Sequence, residues 1–501
     1  MGFVQKDALR TMILSYAGLI LGYLNKGVLF IVFLTTDEIG LVNLIITLGL
    51  LFAQFSNLGS IYATWKYFPF FRNKEKKNYG FLLLTTIIVL IGVVIFTTVT
   101  ILMKNQISDY YSVKSKMFVD YYYWIIPVGI ANVFFILFEN YLRGLYKNLI
   151  SVLSYEVLLR ALTLIVILLY GFNWINFQTF LLSTCLLYFI PTFILFFYLL
   201  KIKELHFSLS TITVPKRFRR IMLNFSLLSY VNTLGTLIVA TLDALMIAAF
   251  LGLSATGVYT TIIFLASALQ IPFRSLTRLT GPLVAQYWKD RDMKKMDVLY
   301  KKSSSVLLVI SLYLFMLIWI NRIEIFSTLK PEFMQGIPVF LFIMIGRITD
   351  MYFGINGTIF TTSKKYKYDL VFTLFLLVIV YSLNYWLIPI YGITGAAIST
   401  GLAFVIYNAG RLLFVYFSYN LHPFTISQMK VIALFALNVV LFEFMPTIFN
   451  HRLLDVVFNS TLFSATFILV IFALNLEPEI KNYTKKGIQF LNSKLRKSQQ
   501  S

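Results

Sequence analysis

Apolar stretches of about 18 residues or more recur from end to end of this chain, separated by short polar connections. A helix of ~20 apolar residues is what a hydrocarbon core of ~30 Å requires. Inside hydrocarbon every backbone N–H and C=O must be satisfied within its own segment, which selects helices over open sheets. The composition agrees: 59% of residues are hydrophobic and 13% charged, whereas soluble domains carry about 25% charged residues. The expected fold class is all-α, a polytopic membrane protein with about 14 transmembrane helices between residues 11 and 475.

Several chemistries are excluded at this level. The one cysteine, Cys185, lies in an apolar run and cannot build a disulfide or a thiolate metal site by itself. His206, His422 and His451 all fall in polar connections, which argues against intramembrane histidine catalysis. There is no phosphate loop of the G-x-x-x-x-G-K type, no H-E-x-x-H, and no polar segment long enough for a soluble catalytic domain. No cofactor, metal site or enzymatic activity is expected. The first apolar run follows Lys6 and Arg10 and lacks a small-residue cleavage site, so it reads as the first span rather than a signal peptide.

The net charge of +22, from 43 Lys and Arg against 21 Asp and Glu, could suggest nucleic acid. Its distribution points elsewhere. The odd-numbered connections between spans hold only Lys104, Lys114, Lys116, Arg322, Lys330 and Arg452. The even connections and both ends hold most of the rest, including KRFRR (216–220) and Lys494, Arg496 and Lys497. Positive charge marks the cytoplasmic face, so both termini are expected there, with basic clusters meeting anionic lipid and no role in nucleic-acid binding.

The longest polar connection follows the sixth span and divides the chain. The expected organisation is a six-helix lobe (1–205), a basic cytoplasmic linker (206–220), a second six-helix lobe (221–418), two additional helices (419–475) and a basic tail (476–501). An internal duplication supports it. FLTTDEIGLVN (33–43) and FLGLSATGVYT (250–260) align with Phe33 on Phe250, Leu34 on Leu251 and Gly40 on Gly257. Further along, LYGF (169–172) aligns with IYGI (390–393) at nearly the same offset. Six spans per copy give parallel repeats about an axis along the membrane normal.

Ionisable residues within spans normally face a bundle interior or a wet cavity. Arg411 and Glu139 lie near cytoplasmic span ends and Glu443 near an outer end, where snorkelling to the interface explains them. Glu156 with Arg160 (i,i+4) and Arg347 with Asp350 (i,i+3) can neutralise each other on one helix face, or serve transport. Lys26 and Asp243 occupy equivalent positions of the repeat and could pair or part across a central cavity. Arg274 and Arg278 form one cationic stripe just after Pro272 and require an anion: a lipid phosphate, a carboxylate or a diphosphate. Gln54 and Asn57 on the second span are candidate polar residues of the same space.

The D-x-x-x-I-x-x-F-L-G-x-x-x-x-G-x-Y run of 243–259, YGITGAAISTGLAF (391–404) and the 6 + 6 + 2 arrangement of spans resemble the polysaccharide transporter family. These O-antigen-type flippases of lipid-linked oligosaccharides belong to the multidrug/oligosaccharidyl-lipid/polysaccharide exporter superfamily. The resemblance implies two six-helix lobes in a V, alternating access, and a cationic cavity lined by spans 1, 2, 7 and 8. It implies as cargo an undecaprenyl-diphosphate-linked glycan for surface polysaccharide such as lipopolysaccharide, moved to the outer leaflet of a bacterial cytoplasmic membrane. Partners would be membrane lipids, glycosyltransferases and a polysaccharide polymerase. Lys26, Arg274 and Arg278 sit on spans where the family places its substrate-binding cations. Asp243, Arg347 and Asp350 are, by their own position within spans, the candidates to couple or gate, and with no nucleotide-binding motif in the sequence an ion gradient or membrane potential is the expected energy source. Related lipid II flippases carry several arginines in spans 1 and 2, where Lys26 stands alone here. A cation-coupled multidrug exporter is the alternative within the superfamily, and a membrane glycan-processing enzyme the alternative outside it.

Overall fold

A computed structural model describes residues 2–73, 77–205, 216–444 and 452–473. Most of the basic linker (206–215) and the tail (476–501), with His206 and His451, lie outside the described residues. The described chain is all-helical, without strands, and has 14 helices long and apolar enough to cross a membrane. They are α1 (Arg10–Phe33), α2 (Thr36–Ser56), α3 (Asn78–Leu102), α4 (Tyr122–Gly144), α5 (Leu149–Gly171), α6 (Phe177–Lys201) and α7 (Arg220–Phe250). The remainder are α8 (Leu253–Asp290), α9 (Met293–Trp319), α10 (Pro331–Tyr352), α11 (Tyr368–Tyr391), α12 (Ile393–Tyr419), α13 (Ile426–Glu443) and α14 (Leu454–Ile471). The chain is a multi-pass membrane protein.

Local chemistry explains where the spans begin and end. Helix α2 opens on a capping box: the Thr35 hydroxyl accepts from the Glu38 N–H at 3.3 Å, and the Glu38 carboxylate accepts from the Thr35 N–H at 2.7 Å. The helix breaks after Ser56. Asn57 donates to the Gln54 carbonyl at 2.7 Å and accepts from the Gly59 N–H at 2.8 Å, closing the last turn. Gly59 then takes φ +79°, a left-handed conformation that glycine adopts without a Cβ penalty. A second helix, Ser60–Phe71, continues in a new direction.

The chain forms two compact units. The first comprises Met1–Phe264 with Asn384–Ile393, the second Leu265–Leu383 with Thr394–Ser501. Helix α7, the first turns of α8 and the last turns of α11 thus pack with α1–α6. The division within α8 falls just before the tighter 3-10 turn Ala268–Gln270.

The core of the first unit is aromatic: Phe68, Phe81, Tyr141, Leu195 and Leu199 pack in one cluster. In the second unit, α13 and α14 pack on α9 through Val431, Phe463 and Phe467 against Leu308, Leu312 and Met316. A separate cluster joins Tyr300, Ile359, Phe360 and Val415. Lipid is as apolar as these side chains, so helix association rests on close packing and interhelical hydrogen bonds rather than on hydrophobic exclusion.

Candidate functional site

Two spans of the first unit carry a widened π-helical turn, Leu24–Leu29 in α1 and Leu153–Leu158 in α5. Such turns are rare and recur at functional sites, because they rotate the residues after them out of α register. The α1 turn contains Asn25 and Lys26, and the α5 turn contains Glu156. Asn25 donates to the Arg160 carbonyl at 2.8 Å, and the Arg160 guanidinium donates to the Gly18 carbonyl at 2.5 Å. Arg160 also pairs with Glu156 at 2.5 Å, as their i,i+4 spacing allows. The α1–α5 crossing is therefore tied by polar bonds, and Lys26 projects from it.

The Lys26 ammonium donates to the Asn43 side-chain oxygen on α2 at 3.0 Å. The amide nitrogen of Asn43 donates in turn to the Thr260 hydroxyl on α8 at 3.1 Å. One turn towards the start of each helix, Gly40 of α2 and Gly257 of α8 meet backbone to backbone. A Cβ on Gly40 would collide with the Leu253 carbonyl, and one on Gly257 with the Thr36 carbonyl. Beyond them, the hydroxyls of Thr36 and Ser254 lie 2.7 Å apart. Gly40 with Gly257 and Asn43 with Thr260 are the residues that the sequence alignment equates, so aligned positions meet here. Glycine is needed at both because only it permits this approach.

The same end of α7 is tied to the connection between α3 and α4. Tyr111, on the short helix Lys104–Ser112, donates to the Leu245 carbonyl at 3.1 Å, and Ser115 donates to the Ala248 carbonyl at 2.6 Å. Burial, reinforced by the neighbouring Tyr110, pushes the Tyr111 phenol up to about 12.

Asp243 of α7 is buried, 6% exposed. Its carboxylate accepts from the Tyr259 hydroxyl of α8 at 2.5 Å and from the Asn384 amide of α11 at 2.7 Å. Lys26 and Asp243 thus each hold other partners in this structure. Gln54 donates to the Tyr62 hydroxyl at 2.7 Å, and Asn57, fully buried, is engaged in ending α2.

In the second unit, Arg274 and Arg278 are exposed, and among the described residues neither side chain has a hydrogen-bond or ion-pair partner. At about 100° per residue they share a stripe opposite to Leu276, Leu279, Thr280 and Leu283. That apolar face lines a groove of about 670 Å³ with α9 and α14. Asp350 accepts from Asn408 at 3.2 Å, and the Arg347 guanidinium lies 5.3 Å from the centre of the Phe404 ring, both neighbours on α12.

Arg411 does not snorkel. It is 8% exposed and donates to Asp369 at 2.8 Å and to the Tyr407 hydroxyl at 2.8 Å. The turn of α12 that carries it faces α11 and Phe360, and its guanidinium stands 5.4 Å from that ring. Glu443 pairs across the bundle with Arg322 at 2.5 Å, and Glu139 with Arg143 of its own helix at 2.7 Å. Among the described residues no group of three or more His, Cys, Asp or Glu could hold a metal ion.

The polar residues that a search for charges misses are neutral: Asn43, Asn384 and Asn408. A carboxamide inside an apolar run is the signal they share, since a buried amide needs partners as a charge does.

No family model matches the chain, and no curated protein sequence matches it. Solved structures do. The lipid II flippase MurJ in an inward closed conformation superposes with a TM-score of 0.70 at 12% identity, covering 94% of this chain and 99% of that one. An inward-facing multidrug resistance MATE transporter of the MOP superfamily gives 0.64 at 14%, covering 80% and 94%. A MOP superfamily transporter from Pyrococcus furiosus gives 0.54 at 16%, covering 83% and 96%. At these identities the likeness is one of architecture: the chain has the fold of MOP superfamily transporters.

Proposed function

We propose that the protein is a flippase that carries a lipid-linked oligosaccharide, its glycan joined to undecaprenyl through a diphosphate, from the cytoplasmic to the outer leaflet. The observation that carries this reading is the stripe of Arg274 and Arg278. Arg160 and Arg411 are held by carboxylates in their own units, whereas these two are exposed and have no side-chain partner among the described residues. Two cations in one row cannot neutralise each other, and a diphosphate offers bidentate acceptors to both. Lys26 is a separate candidate cation, within the first unit.

The cycle is alternating access, and its outer closure is the α2–α8 contact at Gly40 and Gly257, on the face that the charge distribution assigns to the outside. Asp243, set between α7, α8 and α11, is the coupling group: gain or loss of its charge changes what Tyr259 and Asn384 hold. Arg347 and Asp350 bias the packing of α10 on α12 in the second unit. The gradient of an ion, or the membrane potential, supplies the drive, and glycosyltransferases and a polymerase act on the same carrier lipid before and after transfer.

Lipid II is the second cargo to test, because the fold superposes on that of the lipid II flippase MurJ, although Lys26 is the single cation within spans 1 and 2. It presents the same diphosphate. The test is transfer of fluorescent undecaprenyl-diphosphate oligosaccharide and of lipid II in proteoliposomes, with a cationic dye as the drug-like control. Arg274→Ala with Arg278→Ala should abolish flipping of the preferred lipid while the protein stays folded. Undiminished transfer overturns the anion site. Dye efflux without lipid transfer replaces the flippase by an exporter.

A further inference from the structure

We propose that Asn43 is the residue that transmits cargo binding at Lys26 to the α2–α8 contact. This rests on the reading above, in which Lys26 meets the anionic part of the cargo. Asn43 is a positioning residue here, acting through its two partners rather than on the cargo.

The geometry defines the polarity of the link. The Thr260 hydroxyl donates to the Thr256 carbonyl at 2.8 Å, so towards Asn43 it serves as an acceptor. Asn43 must therefore present its NH₂ group to Thr260 and its oxygen to Lys26, as it does at 3.1 and 3.0 Å. A flipped amide would set an oxygen against an acceptor and an NH₂ group against an ammonium, losing both bonds. The orientation of one side chain thus depends on both neighbours at once.

The position of the link gives it a role. Thr36 with Ser254, Gly40 with Gly257 and Asn43 with Thr260 form a ladder along α2 and α8. Only the Asn43 rung is held by a charged group. The other two are a hydroxyl pair and a backbone crossing, neither of which includes a charged group. When a diphosphate draws the Lys26 ammonium away, the Asn43 oxygen loses a charge-assisted bond in a low-dielectric setting and the amide is free to turn. The rung to Thr260 then weakens, and the contact between the two repeat copies opens from its inner end. The α1–α5 crossing supplies the fixed base: Asn25, next to Lys26, is anchored to the Arg160 carbonyl, so movement of Lys26 is confined to its side chain.

The test uses the full chain in nanodiscs with Cys185→Ser, and cysteines at Thr36 and Ser254 as reporters of the contact. The probe is undecaprenyl diphosphate. Its binding is measured separately from the rate of disulfide formation between the reporters. In the parent, saturating probe should slow cross-linking about tenfold, the size of effect expected for a hydrogen bond to a charged group. Asn43→Ala should bind the probe within about threefold of the parent yet cross-link at one slow rate with or without it. Thr260→Val, which keeps shape and removes the acceptor, should do the same and serves if Asn43→Ala does not fold. A probe response of parental size in either variant overturns the relay. In that case loss of probe binding in Lys26→Ala would show the anion site to be sound and the relay alone to be wrong. Parental probe binding in Lys26→Ala overturns both.

Discussion

The two arginine regions of the second unit are handled in opposite ways. Arg411 of α12 is sealed between Asp369, Tyr407 and the Phe360 ring. Arg274 and Arg278 of α8 stand exposed without partners among the described residues. All three interrupt apolar runs and look alike by hydropathy. The difference lies in what the neighbouring helices offer: α11 brings a carboxylate to Arg411, and nothing described brings one to the α8 stripe. A buried and paired arginine is part of the structure, while an exposed, unpaired row is available to a ligand.

Removing Arg411 should have the largest effect on stability. Arg411→Leu takes the guanidinium away from a carboxylate that is 14% exposed, at a cost of about 3–5 kcal/mol, while adding Asp369→Leu should recover most of it. Thermal unfolding in detergent reads both, and a double variant no better than the single would show that Arg411 acts by packing.

Arg274→Ala and Arg278→Ala, made singly, should each weaken lipid binding by about tenfold to a hundredfold. Their unfolding midpoints should stay near the parent's, because exposed substitutions cost within about 0.5 kcal/mol. A large stability loss with binding intact would place these arginines in the same class as Arg411 and dissolve the contrast.

Tyr111 gives a pH-dependent comparison at the α3–α4 connection. Its folded pKa is pushed up to about 12 from an ordinary 10.0. The unfolded chain loses that proton first, so the contribution is complete below pH 10 and is lost as pH rises towards 12. Tyr111→Phe should cost about 1 kcal/mol at neutral pH and make the alkaline loss of stability shallower. An unchanged alkaline slope, followed by denaturation from pH 9 to 12, would remove Tyr111 from the account.

The smallest effect belongs to Glu156→Gln. The pair with Arg160 is about one-third exposed on both sides, and solvent-screened pairs contribute about 0–1 kcal/mol. A loss above about 2 kcal/mol would mean that the α1–α5 crossing depends on this ion pair rather than on the Asn25 bond.

How much of this was legible beforehand follows from which signals act locally. The spans and their number are visible because the bilayer imposes a length and a polarity on each segment by itself. The close approach of Gly40 and Gly257 had a local signal as well, since the sequence alignment equates these two glycines. Within a span, hydropathy does not tell a lipid-facing side from a packed one, since both are apolar. Phe197, 63% exposed, and Phe180, fully buried, read alike. The break at Asn57–Gly59 and the π turns of α1 and α5 were hidden for a related reason: each depends on hydrogen bonds that hydropathy does not register.

The sequence by itself determined the helical membrane class, the charges out of place in hydrocarbon and the i,i+4 spacing of Glu156 with Arg160, which chain geometry alone brings together. Only the tertiary structure decided which of those charges are satisfied and by what. Lys26 holds Asn43, Asp243 holds Tyr259 and Asn384, and Arg411 holds Asp369, through contacts between residues 16 to 141 positions apart. Partners at such separations are selected by how helices pack, and packing is a property of the assembled bundle rather than of any one span.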